Sequence, residues 1–290
     1  MSQPLRLRQG AEALAEPFPP LLAAAEHLAA SVLLGEHGRR RAGMGDEFWQ
    51  YRASMPGDER RMVDWRRSAR SDAQFVREKE WQAAQSVMIW VDPAKSMGFS
   101  SSDKLSPKGE VARTLALAAA VLLIRAGERV GLTSLVAPPR SGQLQLLRLA
   151  TALSEDSDDE YGRPELRGIL HHARAIFVSD FLGDLAPVET ALTKAADRDV
   201  KGAILHVLDP AEEAFPFDGR TIFESMGGSI SHETLKAGDL RDRYLNRLAK
   251  RKGRLKDLAQ ATGWQYHLHH TDQPGTGALL WLHGALGRVH

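Results

Sequence analysis

Three short apolar runs, each followed directly by an aspartate, dominate the hydrophobic pattern of the chain. These runs and aspartates are residues 87–91 with Asp92, residues 175–179 with Asp180, and residues 203–208 with Asp209. Unbroken runs of this length, rich in β-branched and aromatic residues, are typical of strands that are buried on both faces of a parallel sheet. An alanine- and leucine-rich helix predicted over residues 109–126 follows the first run, which makes a strand, loop and crossover helix.

The remaining periodic segments continue the alternation of strands and helices. Strands are predicted over residues 129–136, 221–224 and 264–269, and helices over residues 20–34, 143–153, 187–197, 240–261 and 277–286. This alternation predicts an α/β fold with a mainly parallel central sheet flanked by helices. We divide the chain into an N-terminal arm and helix (1–34), an arginine- and aromatic-rich segment packed on the core (35–82), and the α/β domain (83–290).

Composition restricts the possible partners. The 290 residues include 38 basic and 37 acidic side chains, so no overall field attracts nucleic acid or an anionic membrane. The absence of cysteine excludes disulfides and thiolate metal sites. The apolar stretches 21–34 and 115–124 are interrupted or too short for a bilayer span, and the amino terminus lacks the apolar core of a signal peptide. We therefore expect a cytoplasmic protein with no membrane span.

The segment 35–82 interleaves arginines with aromatic residues, a pattern that can bind single-stranded nucleic acid through stacking and phosphate contacts. Aspartates and glutamates occur throughout the same segment and can pair with these arginines. We therefore expect a structural segment and no nucleic-acid partner. Nucleic-acid binding remains an alternative.

The candidate chemistry lies at the carboxyl ends of the strands, where parallel sheets bind their ligands. Asp92, Asp180 and Asp209 could together hold magnesium, which prefers oxygen ligands, or they could cap the helices that follow. Lys95 and Ser96 follow Asp92 in its loop. The sequence contains none of the familiar serine-hydrolase or nucleotide-binding motifs, and no catalytic residue is predicted. A metal-dependent hydrolase at this edge remains an alternative.

An ordered series of motifs precedes the first strand and resembles a bacterial family known as domain of unknown function 58, whose core is von Willebrand factor A-like, a Rossmann-like fold. The residues that carry the resemblance are Glu47, Tyr51, Arg52, Gly57, Asp58, Arg60, Asp64, Trp65, Arg70 and Arg77. The segments VSDF (178–181) and HVLDPAEEAFPF (206–217) extend the resemblance, which runs from about residue 35 to residue 223.

The resemblance implies a metal-ion-dependent adhesion site at the upper edge of the sheet. Asp92 and Ser96 match the first and last positions of its D-x-S-x-S motif, and Asp180 matches its second aspartate. Ala94 replaces the first serine, and no threonine follows between Leu153 and Ala175. We therefore expect a degenerate site that holds magnesium weakly or not at all, and no cofactor. Lys95 could instead supply a fixed positive charge beside Asp92.

The resemblance also implies a function. We expect a non-enzymatic protein–protein interaction module that works with a MoxR-type AAA+ ATPase in a chaperone-like or assembly role. Its predicted partner surface is an exposed rim formed by Asp92, Lys95, Ser96 and Asp180, because loops at the carboxyl ends of strands can vary without disturbing the core.

Overall fold

The structure is a computed structural model, and it describes residues 25–26, 28–29, 48–54, 63–69, 74–79, 84–165, 169–228 and 231–287. The chain divides into two compact units, one within residues 38–84 and the other formed by the rest of the chain. Ala25, Glu26, Leu28 and Ala29 are helical, as predicted, and the remainder of the predicted helix 20–34 lies outside the described residues.

The smaller unit contains an antiparallel strand pair that the sequence pattern did not predict. Its elements are β1 (Phe48–Ala53), the short helix α1 (Trp65–Ser68) and β2 (Phe75–Lys79). Tyr51 of β1 pairs with Arg77 of β2. The Asp64 carbonyl accepts the Ser68 hydroxyl at 2.8 Å, and Trp65 is 57% exposed.

Several motif residues of the smaller unit lie outside the described residues. They are Glu47, Gly57, Asp58, Arg60 and Arg70.

The larger unit alternates strands and helices. In chain order its elements are β3 (Ser86–Val91), α2 (Lys108–Arg125), β4 (Arg129–Leu132), α3 (Gln143–Leu153), β5 (Arg174–Ser179), α4 (Ala186–Ala196), β6 (Lys201–Leu208), α5 (Pro210–Ala214), β7 (Thr221–Glu224), β8 (Ser231–Thr234), α6 (Gly238–Thr262), β9 (Gln265–His270) and α7 (Gly275–Gly287). The five strands β4, β3, β5, β6 and β9 form one sheet in that order, and every pair in it is parallel. The predicted parallel sheet flanked by helices is confirmed.

Successive side chains of a strand point to opposite faces of the sheet, and the helices bury both faces. Val87 and Ile89 of β3 lie in a core with α2, α3 and α7. Met88 and Trp90 of the same strand lie in the opposite core with α4 and α6. This two-sided burial explains why the strands read as unbroken apolar runs instead of alternating ones.

Two differences from the predicted elements have local causes. The strand predicted over residues 129–136 ends at Leu132, after which the chain turns back so that Val130 bridges Arg140. Pro138 and Pro139 in this return segment have no N–H group to extend a ladder. Strand β8, with the sequence SHET, was not predicted because it is polar; it pairs with β7 in a separate two-stranded hairpin.

No described helix combines the length and the apolar character that a bilayer crossing requires.

Candidate functional site

The carboxyl ends of three neighbouring strands bring the three predicted aspartates to one edge of the sheet. Asp92 follows β3, Asp180 follows β5 and Asp209 follows β6. All three side chains are buried: Asp92 is 2% exposed, and Asp180 and Asp209 are fully enclosed. The predicted convergence of these strand ends is therefore present, in the interior of the protein.

A buried lysine connects this edge to the helix α5. Lys108, the first residue of α2, directs its Nζ to Asp180 Oδ2 at 2.7 Å and to Glu212 Oε1 at 2.6 Å. The lysine and aspartate side chains are each 1% exposed, and the glutamate side chain is 12% exposed. The face of the Phe99 ring lies 5.6 Å from the same ammonium group. We call Lys108, Asp180 and Glu212 the buried ion cluster.

Every carboxylate oxygen of this cluster has a donor. The second oxygen of Asp180 accepts the backbone N–H of Leu182 at 3.0 Å. The second oxygen of Glu212 accepts the backbone N–H of Asp209 at 2.9 Å. Buried charges persist when they are both paired and fully hydrogen-bonded, which is the state of these two carboxylates.

The charge of Lys108 is maintained against two unfavourable effects. Burial disfavours its charged form, and as the first residue of α2 it stands at the positive end of that helix's dipole. The carboxylates of Asp180 and Glu212 outweigh the burial, so that the pKa of Lys108 is raised above its ordinary value. Burial likewise raises the pKa of Glu212, and the nearby lysine opposes that rise. Lys108 is therefore an ammonium ion at neutral pH.

Asp209 is a helix cap, one of the two roles that the sequence left open for these aspartates. Its Oδ1 accepts the N–H of Ala211 at 2.8 Å, and the Glu212 carboxylate accepts the Asp209 backbone N–H, which completes a capping box. Its Oδ2 accepts the N–H of Ser101 at 2.9 Å. Asp209 thus fixes both the start of α5 and the loop that leads into α2.

Asp92 is enclosed by its own loop and by the segment after α3. Its Oδ2 accepts the Ser179 hydroxyl at 2.6 Å, and its Oδ1 accepts the Ala94 N–H at 2.9 Å. The Gly162 backbone packs so closely against Asp92 that a Cβ atom added at this glycine would clash with the carboxylate. Burial raises the pKa of Asp92, and the hydrogen bond from Ser179 opposes the rise.

The prediction that Asp92, Lys95, Ser96 and Asp180 form an exposed rim is wrong for three of the four residues. Ser96 is 8% exposed, and the two aspartates are more deeply buried still. The acidic segment 155–162 covers the loop after β3 and encloses Asp92 and Ser96. In this contact the carbonyls of Asp159 and Glu160 accept the backbone N–H groups of Lys95 and Ser96, at 2.9 and 3.1 Å.

Lys95 does not supply the fixed positive charge that the sequence suggested beside Asp92. Its side chain is 42% exposed, and its Nζ pairs with the exposed carboxylate of Asp158 at 3.2 Å. The positive charge at this edge belongs to Lys108, thirteen positions further along the chain.

The side chains at this edge do not fit the metal site that the resemblance implies. Asp180 Oδ2 is bonded to a cation of the protein itself, and both oxygens of Asp92 accept hydrogen bonds from Ser179 and Ala94. Ala94 offers no ligand atom. Ser96 Oγ is buried and makes no hydrogen bond to any described residue. Among the described residues, no three histidine, aspartate or glutamate side chains form a group that could hold a metal ion.

Sequence reasoning missed four residues of this site: Lys108, Glu212, Ser179 and Gly162. Two of them carried a readable signal. The helix dipole favours anions in the first turn, so a lysine there is unfavourable on its own. The position of Lys108 therefore predicts an acidic partner that offsets this cost. The Asp209-x-x-Glu212 spacing is that of a capping box and predicts the direction of the glutamate side chain. Nothing local marks Ser179 or Gly162, because their contacts with Asp92 join distant parts of the chain.

Comparison with solved structures gives low overall similarity. The crystal structure of an aerotolerance-related membrane protein from Bacteroides fragilis matches with a TM-score of 0.40 and 12% identity, over 71% of this chain and 100% of that chain. The conserved hypothetical protein BatB from Bacteroides thetaiotaomicron matches with a TM-score of 0.38 and 13% identity, over 69% of this chain and 98% of that chain. At these scores neither similarity bears on function.

Comparison of sequences is more informative. The uncharacterized proteins Mb1516 of Mycobacterium bovis and Rv1480 of Mycobacterium tuberculosis are each 26% identical to this chain over 234 residues. The match covers 73% of this chain and 71% of each of those proteins. The model of the family described as protein of unknown function DUF58 matches residues 50–254, which include β3, β5 and the buried ion cluster. The chain therefore belongs to the DUF58 family.

Proposed function

We propose that this protein is a non-enzymatic binding module that engages another protein through the surface above the buried ion cluster. The observation that carries the proposal is the meeting of three loops at that surface. The backbone N–H groups of Lys95 and Ser96, in the turn Lys95–Gly98, donate hydrogen bonds to carbonyls of the acidic segment 155–162. The turn between β7 and β8 joins them: the methyl group of Met226 lies 3.5 Å from the position of a Cβ at Gly98, and Gly227 lies beside Glu160.

These loops present a mixed apolar and charged surface. Its exposed side chains are Lys95 at 42%, Tyr161 at 36% and Met226 at 49%. Tyrosine and methionine are enriched in protein interfaces, and methionine adapts its shape to a partner. We call Lys95, Tyr161 and Met226 the loop rim. It rests on a buried layer whose polar groups are largely paired, so variation in the rim leaves the core beneath it intact.

The partner that we propose is a MoxR-type AAA+ ATPase, which the resemblance described above implies, with a chaperone-like or assembly role for the pair. A von Willebrand factor A-like core would present its loops at the edge where the loop rim lies. This partnership rests on family analogy, and a direct binding measurement tests it.

The test is biolayer interferometry between this protein and a MoxR-type ATPase from the same cell, with and without ATP. The variant Lys95→Glu/Met226→Asp reverses one charge and inserts another in the loop rim, which adds repulsion as well as removing contacts. We expect its Kd to rise at least about tenfold, with an unchanged melting temperature, since exposed substitutions alter stability little. The matched control is Lys194→Glu, an exposed charge reversal in the last turn of α4, at the other end of the sheet.

Equal binding by the loop-rim variant and the wild type contradicts the proposed surface. Equal weakening by Lys194→Glu attributes the effect to overall charge and also contradicts it. If the wild type does not bind the ATPase, the proposed partner is wrong.

A further inference from the structure

We propose that Lys108 is a tethered cation that takes the place of a divalent metal ion at this edge of the sheet. Its ammonium group bonds Asp180, the residue that matches the second aspartate of the metal-site motif, and also bonds Glu212. A positive ion held between two carboxylates in the interior is the electrostatic arrangement that a bound divalent cation provides. Here the cation is covalently part of the chain.

The sequence changes around the motif agree with this assignment. Ala94 stands where the motif has a ligand serine, and the segment after α3, which contains no threonine between Leu153 and Ala175, packs the Gly162 backbone against the Asp92 carboxylate. A metal ion needs these oxygen atoms in its coordination shell, but an ammonium group needs only acceptors. Lys108 has two charged acceptors and the face of an aromatic ring.

The packing also holds the ammonium group in place. Gly109 follows Lys108 and lies against the turn that carries Ser96, where a Cβ atom would approach the Met97 carbonyl to 3.2 Å. The Met97 sulfur in turn accepts the Asp180 backbone N–H at 3.3 Å. The start of α2, the turn Lys95–Gly98 and the end of β5 therefore form one packed unit around the lysine. A hydrated ion has no comparable attachment to the fold.

Two consequences follow from the assignment. In the wild type, magnesium, manganese or calcium would have to displace the ammonium group of Lys108, which is covalently attached to the chain. None of these ions should therefore bind at this edge. In a variant that lacks the lysine side chain, Asp180 and Glu212 face each other across free space, with buried Ser96 Oγ in the same packed unit. Two carboxylates with water are a common magnesium site, so this variant should acquire an affinity for divalent ions.

The experiment compares thermal melts of four proteins with about 1 mM Mg²⁺, Mn²⁺ or Ca²⁺ and with a chelator, because an ion that binds only the folded state raises the melting temperature. Lys108→Ala should melt lower than the wild type in chelator and should gain about 4 °C or more from a divalent ion, saturably. Lys108→Met fills the space without a charge, so it should melt low and gain nothing. Lys104→Ala, an exposed lysine of the same loop, should match the wild type throughout.

A triple variant covers the case in which Lys108→Ala does not fold without metal. The triple change Lys108→Met/Asp180→Asn/Glu212→Gln removes every charge of the buried ion cluster while keeping acceptor oxygens for the Leu182 and Asp209 N–H groups. It should recover most of the melting temperature lost by Lys108→Met, because no buried charge is left unpaired.

Three outcomes overturn the inference: a saturable metal-induced shift of the wild type, no metal response from folded Lys108→Ala, or a triple variant that melts as low as Lys108→Met. None of these melts requires a partner protein. Their result is therefore independent of the binding test of the proposed function.

Discussion

Lys108 and Lys95 both follow the first strand of the sheet, and both form ion pairs, yet their surroundings give them opposite roles. Lys108 is enclosed, with a side chain that is 1% exposed and two carboxylates within 2.7 Å of its Nζ. Lys95 lies in the loop rim, 42% exposed, and its partner Asp158 is fully open to solvent. From the sequence, Lys95 could supply a fixed positive charge beside Asp92, because it stands inside the motif.

The difference teaches that burial, and not the presence of an ion pair, decides what a charge does. Water screens the exposed pair and solvates either member when the other is lost, so the pair contributes little. In the buried ion cluster, removal of one member leaves the others charged in a medium that solvates them poorly. The enclosed region should therefore respond strongly to substitution and to pH, and the loop rim should respond weakly.

The largest effect is expected from Lys108→Met. This variant keeps most of the side-chain volume but leaves Asp180 and Glu212 without their cation, so we expect the free energy of unfolding to fall by about 3–5 kcal/mol at pH 7. Urea denaturation followed by circular dichroism measures the change. A loss below about 1 kcal/mol would mean that the charge of Lys108 does not stabilise the buried ion cluster, and it would contradict the contrast drawn with Lys95.

A smaller decrease in the free energy of unfolding is expected at acidic pH, because His206 of β6 becomes protonated. This histidine is fully buried, hydrogen-bonds the Tyr266 hydroxyl at 2.8 Å, and has a pKa that burial lowers to about 4. Its folded pKa is below the unfolded value of about 6.5, so the native state binds fewer protons between these values. The contribution of neutral His206 to the free energy of unfolding is thus fully present above pH about 6.5. It is lost as the pH falls towards 4, and the loss amounts to about 3 kcal/mol.

His206→Gln should remove most of this contribution. The decline of unfolding free energy between pH 7 and pH 4 becomes shallower by about 3 kcal/mol, whatever the variant's stability at pH 7. A remaining decline is expected from His269, whose pKa burial also lowers to about 4. The control is His172→Gln, an exposed histidine beside Asp199. Urea denaturation midpoints across this pH range measure the decline. If the decline in His206→Gln is as steep as in the wild type, the buried histidine does not cause the pH dependence.

The smallest effect is expected from Lys95→Ala. The lysine and Asp158 are both open to solvent, so the free energy of unfolding should change by no more than about 0.5 kcal/mol. The same urea titrations measure it. A loss above about 1.5 kcal/mol would mean that Lys95 supports the core and would remove the contrast with Lys108.

The sequence by itself determined the fold class and the ends of the three strands that precede Asp92, Asp180 and Asp209. The helix 143–153 and the strand 221–224 match their predicted bounds, and most other elements shift by one or two residues. Strands buried on both faces must be apolar throughout, and helices must repeat their apolar positions every three or four residues. These elements can therefore be predicted from the sequence pattern alone. The placement of Asp92, Asp180 and Asp209 at one edge then followed from parallel strand order.

Only the tertiary structure decided what lies between those strand ends. Lys108 meets Glu212 across 104 positions of sequence and Asp180 across 72, and Gly162 reaches Asp92 from a loop with no local signature. A sequence pattern records which residues must be buried or exposed, but it does not record which distant side chain points at which. Proximity in sequence therefore suggested Lys95 as a source of positive charge at this edge, whereas proximity in space, set by the packing of α2 against the sheet, gives that charge to Lys108.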